Sequence, residues 1–144
     1  MPEIPDPSPV LPPATTDPWV IKQVIVMRHD LQMRRGKQIA QGAHASVAFL
    51  TDTLRQDHKA TFDSFTEPEQ MWMQGLFTKI CVRVDSAAEL IKIIDDARLA
   101  RVKVYPITDA GLTEFHGIPT LTCCAIGPDY ANVIDPITQR LKLL

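Results

Sequence analysis

An unbroken apolar run, Val24-Ile25-Val26-Met27, empties into an arginine-rich loop and then into a segment with helical spacing from about Gly36. A run that is apolar on both alternating faces belongs to a strand covered by helices on each side. The loop that follows therefore lies at the C-terminal end of a strand, where open α/β sheets build their sites. At 100° per residue, Lys37, Gln41, His44 and Ala48 lie within about 60° of one another on the helix. Ala40, Ala43, Val47, Leu50 and Leu54 form a separate apolar stripe, which is expected to face a core. Lysine and glutamine on a helix are ordinarily solvated, and a histidine between alanines is ordinarily packed or capped. This face becomes a site only if a second segment meets it.

The rest of the chain supplies a sheet. Residues 1–18 hold seven of the twelve prolines, little aliphatic content and no period, and are expected to be a flexible leader. The domain is expected to span 19–144, with its first strand over Lys22–Arg28. After the first helix, Thr66-Glu67-Pro68-Glu69 is a helix start with proline in the first turn, and Gly75 ends that helix. Thr78–Val84 alternates polar and apolar as a second strand. Ser86-Ala87-Ala88-Glu89 is a capping box opening a third helix, with Leu90, Ile93, Ile94 and Ala97 at helical spacing. Val102–Tyr105 is a third strand closed by Pro106, and Thr120–Ile126 a fourth stopped by Gly127-Pro128. Asp135-Pro136 is expected to cap and open a last short helix. The first two connections carry helices, so right-handed parallel crossovers are the default, while the short third connection allows an antiparallel pair. The expected fold is α/β, a three-layer αβα sandwich around a four-stranded mixed sheet.

A net charge of −2 gives no global sign of a nucleic-acid partner. The distribution is uneven, because Glu3, Asp6 and Asp17 leave residues 19–144 net positive. Arg28, Arg34, Arg35 and Lys37 face only Asp30 in their stretch, a patch able to hold phosphate or simply a solvated loop. Cys81, Cys123 and Cys124 all lie in strand-like runs. Neighbouring strand residues point to opposite faces, so Cys123-Cys124 is no chelating or redox pair. Reduced thiols in a cytoplasmic protein are the expectation. No run approaches a membrane span, and no signal peptide is indicated.

The second segment follows the third strand: Thr108-Asp109-Ala110-Gly111-Leu112-Thr113-Glu114. By the crossover argument, the first and third strands end on the same sheet edge, so Asp109 and Thr113 can approach Lys37 and His44. An aspartate making a turn before glycine is the plain alternative. Taken together, the motifs resemble the type 2 (archaeal and eukaryotic-type) peptidyl-tRNA hydrolases. The matching stretches are D-L-x-M-x-x-G-K at Asp30–Lys37, A-Q-x-x-H-A at Ala40–Ala45 and D-A-G-x-T at Asp109–Thr113. A-I-G-P at Ala125–Pro128 and I-T-x-x-L-K-L-L at Ile137–Leu144 complete the series. The resemblance spans roughly residues 22–144, in order.

The resemblance implies an αβα sandwich, commonly a homodimer, that hydrolyses the ester joining a peptide to the 3′ end of tRNA without a metal or cofactor. It implies activity carried by Lys37, Asp109 and Thr113 with His44 close by, and substrate held by Gln41 and Gly111 and by Arg28, Arg34 and Arg35. Many members read D-A-G-R-T-Q where this chain has Leu112 and Glu114, and P-G-T where it has Gly117-Ile118-Pro119. Losing a cation and gaining an anion there predicts weakened activity. Such chemistry needs an activated water and a stabilised oxyanion. Either Asp109 or His44 can take the proton, while Lys37 can serve the oxyanion or hold Asp109 ionised. No G-x-S-x-G elbow occurs, so a covalent intermediate is not expected. The competing reading is a diverged, non-catalytic domain that binds RNA or a protein partner.

Overall fold

The computed structural model describes Asp17 and residues 19–144; the expected leader, Asp17 apart, lies outside the described residues. Strand β1 (Ile21–Arg28) is followed by helix α1 (Arg35–Gln56), helix α2 (Glu67–Gln74) and strand β2 (Lys79–Val84). Helix α3 (Ala87–Leu99), strand β3 (Val104–Asp109), strand β4 (Thr120–Tyr130) and helix α4 (Ala131–Thr138) complete the order. The sheet runs β2-β1-β4-β3. β1 pairs parallel with β2, whereas β4 is antiparallel to both β1 and β3. β1 and β3 therefore end on one edge of the sheet, and the loops carrying Lys37 and Asp109 share it.

The two sheet faces bury different clusters. Val24, Val26, Val82, Val84, Cys124 and Ile126 pack with Leu90, Ile93 and Ile94 of α3 and with Ile134 and Ile137 of α4. Ile25, Met27, Cys123 and Ala125 pack with Ala45 and Ala48 of α1. Ile21, Phe49, Phe65 and Trp72 extend that second layer under α2. The central strands are thus covered on both sides, which is why β1 reads as a continuous apolar run. Cys123 and Cys124 face opposite layers, and all three cysteines are free thiols, Cys81 being exposed.

Several boundaries differ from the expectation, each for a local reason. Pro106 lies inside β3 rather than ending it, which an edge strand tolerates because no ladder donor is missing on its open side. β4 runs through Gly127-Pro128, joined by a cis peptide, to Tyr130. α4 begins at Ala131 with Pro136 inside it, because Asp135 pairs with Lys22 instead of capping. At α3, Ser86 accepts from the Glu89 amide, but the Glu89 carboxylate turns to the Asp85 amide, so the box is half formed. The full capping box is at α2, between Thr66 and Glu69. Trp19 is exposed, whereas Trp72 is buried.

The largest correction concerns the rotation of α1. Gln41, Ala45, Ala48 and Phe49 are its buried residues. Ala40, Ala43, Val47 and Leu54 are exposed, and Leu50 is half-buried. Small side chains let α1 sit close on β4 and β3, and Gln23, fully buried in β1, pins it there. Its amide donates to the Ser46 carbonyl at 3.0 Å and accepts from the Ser46 hydroxyl at 2.6 Å. Lys37 and Gln41 therefore lie in the seam between helix and sheet. The apolar stripe instead walls an open trough of about 840 Å³ with Ile25, Met27, Phe77 and Leu144.

Candidate active site

The seam at the start of α1 holds a closed set of polar contacts. The Lys37 ammonium donates to Asp109 Oδ1 at 2.8 Å and to Thr113 Oγ1 at 3.0 Å. The Gln41 amide donates to the same Asp109 oxygen at 3.2 Å, and the Gly111 amide donates to Oδ2 at 2.8 Å. Both members of the ion pair keep only a sliver of accessible surface, 15% and 13% of their side chains. The Lys37 hydrogen bond leads in holding the Asp109 carboxyl below the usual carboxylate range, and the Gly111 amide acts in the same sense. Asp109 is thus a settled anion that fixes an ammonium, and its proton affinity is low.

The loop that carries Asp109 is shaped by backbone constraint. Gly111 has φ +82°, and a Cβ there would lie 2.5 Å from the Ile118 carbonyl oxygen. Only glycine fits both the torsion and the approach. Phe115 and His116 also adopt positive φ, a costly arrangement for non-glycine residues. It brings the Phe115 ring to 5.9 Å from the Lys37 ammonium.

One member of the site escaped the sequence reading. Thr122 is fully buried, and its hydroxyl donates to Gln41 Oε1 at 2.5 Å. Strand alternation assigns Thr122 to the same face as Cys124, away from α1. A register shift between Ile107 and Thr108 turns it beside Cys123 instead, whose thiol donates to the Gln41 carbonyl at 3.5 Å. Gln41 is therefore held at both ends of its amide.

The remaining candidates are spread around this centre. His44 does not bond to Asp109 and instead lines a neighbouring groove with Thr108. Arg28 is committed to structure, chelating Asp30 through two nitrogens at 3.1 and 2.7 Å and donating to the Leu121 carbonyl at 3.0 Å. Its guanidinium holds the Asp30 carboxyl below the usual range. Arg34 is exposed and reaches Glu114 at 3.8 Å. Arg35 is exposed at the first turn of α1, which has no acidic residue and no side-chain cap. Among the described residues no group of three or more His, Cys, Asp or Glu side chains could hold a metal ion, and no helix is long and apolar enough to cross a membrane.

The protein-family model for Peptidyl-tRNA hydrolase PTH2 matches residues 21–144, the whole sheet and every helix. The chain belongs to the PTH2 family. Its PTH2 relatives include a peptidyl-tRNA hydrolase of Methanocaldococcus jannaschii, 39% identical over 86% of this chain and 100% of that protein. Peptidyl-tRNA hydrolases of Saccharolobus islandicus and Metallosphaera sedula are 37% and 36% identical, over 87% and 86% of this chain and the full length of each. The PTH2 match thus covers the elements that bring Lys37, Gln41, Asp109 and Thr113 together.

Proposed function

We propose that this chain hydrolyses the ester between a peptide and the terminal ribose of tRNA, at the Lys37–Asp109–Thr113 seam. The observation that carries the reading is the pair of hydrogen bonds from one ammonium to Asp109 and Thr113. Two of the three ammonium protons are used, which leaves one to meet a carbonyl oxygen. Accepting from Lys37 also leaves the Thr113 hydroxyl proton free to donate. Both donors are held before substrate arrives, which is the condition for stabilising a developing oxyanion without reorganisation.

The base is better assigned to His44 than to Asp109. Three donors already stabilise Asp109 as an anion, and each lowers its appetite for a proton. His44 takes a proton from water as the water oxygen attacks the ester carbon. The bond from that carbon to the ribose oxygen then breaks, and the proton passes to the departing oxygen. The products are a peptide carboxylate and tRNA with a free hydroxyl. Lys37, Thr113 and His44 touch the reacting atoms in this scheme. Asp109, Gln41 and Thr122 are positioning residues, and Gly111 supplies an amide and a turn. The scheme uses no metal or cofactor.

Arg34 and Arg35 sit where the tRNA backbone would pass, making binding salt-sensitive and largely independent of sequence. The carboxylate of Glu114 near Arg34 supports the weakened hold expected from this chain's departures, and Leu112 adds nothing polar. The trough beside α1 supports a homodimer, since a stretch of apolar surface that large is usually covered. A cytoplasmic setting fits the free thiols and a substrate made by ribosomes. Release of radiolabelled N-acetyl-aminoacid from its tRNA tests the reading. Turnover is expected; binding of tRNA without release, at enzyme well above substrate, overturns it.

A further inference from the structure

An ester has two sides, and only the tRNA side is provided for by the basic loops at the C-terminal edge of β1. A groove of about 320 Å³ leaves the site in the other direction, between α1 and β3. His44, Thr51, Asp52 and Arg55 form one wall and the Val104–Thr108 backbone the other. β3 runs into Asp109, while α1 starts at the Lys37 contact and recedes from it, so the groove opens directly off the reacting centre. From His44 to Arg55 it extends about 16 Å at the helical rise, room for four or five extended residues.

We propose that this groove is the acyl subsite, which holds the peptide of the substrate by its main chain; the inference rests on the esterase reading above. The sheet itself makes the distinction between its two edges. The outer edge of β2 is occupied by the chain's own C-terminus. There the Arg83 amide donates to the Lys142 carbonyl and the Leu144 amide to the Cys81 carbonyl. The edge of β3 has no such cover among the described residues. Gly127 donates to the Lys103 carbonyl, and Tyr105 and Ile107 pair with Ala125 and Cys123, so alternation turns Val104 and Pro106 outward. The Val104 amide and the carbonyls of Val104 and Pro106 face the groove without partners. An extended peptide satisfies such groups whatever its side chains, which suits a substrate of no fixed sequence. Pro106 removes one donor from this edge and so discourages permanent pairing with another sheet.

The subsite also gives a basis for preferring peptidyl-tRNA. A single aminoacyl group reaches only the His44 end of the groove, whereas a tetrapeptide spans it. The trough on the other flank of α1 is apolar and does not touch Asp109, so it is a poorer continuation of the same substrate.

The test compares N-acetyl-aminoacyl-tRNA with a tetrapeptidyl-tRNA sharing the same tRNA and the same ester-linked residue. Wild type is expected to favour the tetrapeptide by about tenfold in kcat/KM, the scale of one or two main-chain hydrogen bonds. Thr51→Trp, filling the groove from its helix wall, is expected to bring that ratio to about one while the melting temperature holds. A benzophenone residue placed third from the ester is expected to crosslink within residues 51–55 or 104–106. Cleavage of both substrates with a ratio unchanged by Thr51→Trp, or crosslinks at Ile39, Val47 or Phe77, overturns the subsite and leaves the esterase standing. Cleavage of neither substrate overturns both.

Discussion

Replacing Thr122 by valine removes one buried hydroxyl and almost no volume, so it isolates what that hydroxyl does for Gln41. The Gln41 side chain accepts from Thr122 at 2.5 Å and donates to Asp109 at 3.2 Å. Gln41 is only 6% exposed, and Thr122 is fully buried. The orphaned Oε1 then has no water to turn to, and an unsatisfied buried acceptor costs about 1–3 kcal/mol. In a chain of this size that lowers the melting temperature by about 3–10 °C. The freed amide also ceases to aim at Asp109, and a tenfold fall in kcat corresponds to about 1.4 kcal/mol of lost transition-state stabilisation. KM should change little, because Gln41 does not meet the tRNA. Thr122→Ser keeps the hydroxyl and loses a methyl, so it should melt lower yet turn over near the wild-type rate. Calorimetry and single-turnover release of peptide measure the two effects separately. A valine variant with wild-type kcat, or a serine variant as slow as valine, refutes the role given to this hydrogen bond.

Other expectations follow from neighbouring contacts. Gly111→Ala must either strain φ +82° or push the loop off the Ile118 carbonyl, so it should destabilise by about 1–3 kcal/mol and lose most activity, read by urea melts and turnover. The Asp109 carboxyl is depressed in the folded state, so its stability contribution is full above the ordinary carboxylate value and is lost as pH falls through the folded value. The stability gap between wild type and Asp109→Asn in urea titrations should therefore be present at neutral pH and close only below about pH 4. For the same reason Asp109 cannot produce an acidic limb near neutrality in the rate profile, and His44→Gln should abolish any such limb as well as slow turnover. Glu114→Gln should release Arg34, lowering KM for peptidyl-tRNA several-fold at low salt and less at high salt, as steady-state kinetics at two ionic strengths would show.

Much of this arrangement was legible in the residues, and the exceptions have physical causes. The β1 run, the Thr66 start of α2 and the helical spacing of α3 each carry a local signal that tertiary contacts did not override. The convergence of Lys37 with Asp109 followed from strand direction alone, since two parallel strands end on the same edge. The rotation of α1 was not legible. Its widest apolar arc faces an open trough, while alanines and a glutamine make the closer contact with the sheet. Hydrophobic periodicity reports which face is apolar, not which face is nearest. Pro106 and Gly127-Pro128 read as strand ends because proline lacks a donor, yet β3 lies at an edge where that donor is not needed. Thr122 was hidden by a one-residue shift in the β3–β4 register, which no alternation pattern announces. Arg28 counted as a free cation until its partners, Asp30 and the Leu121 carbonyl, were in view.

The measurement closest to the centre of the account is single-turnover hydrolysis of N-acetyl-aminoacyl-tRNA by wild type and by Lys37→Met, with tRNA binding followed in parallel. Removing an ammonium aimed at the oxyanion should slow the chemical step by about 10²–10³-fold while tRNA affinity stays within a factor of three. A methionine variant that cleaves at the wild-type rate would contradict the assignment of the chemistry to this seam.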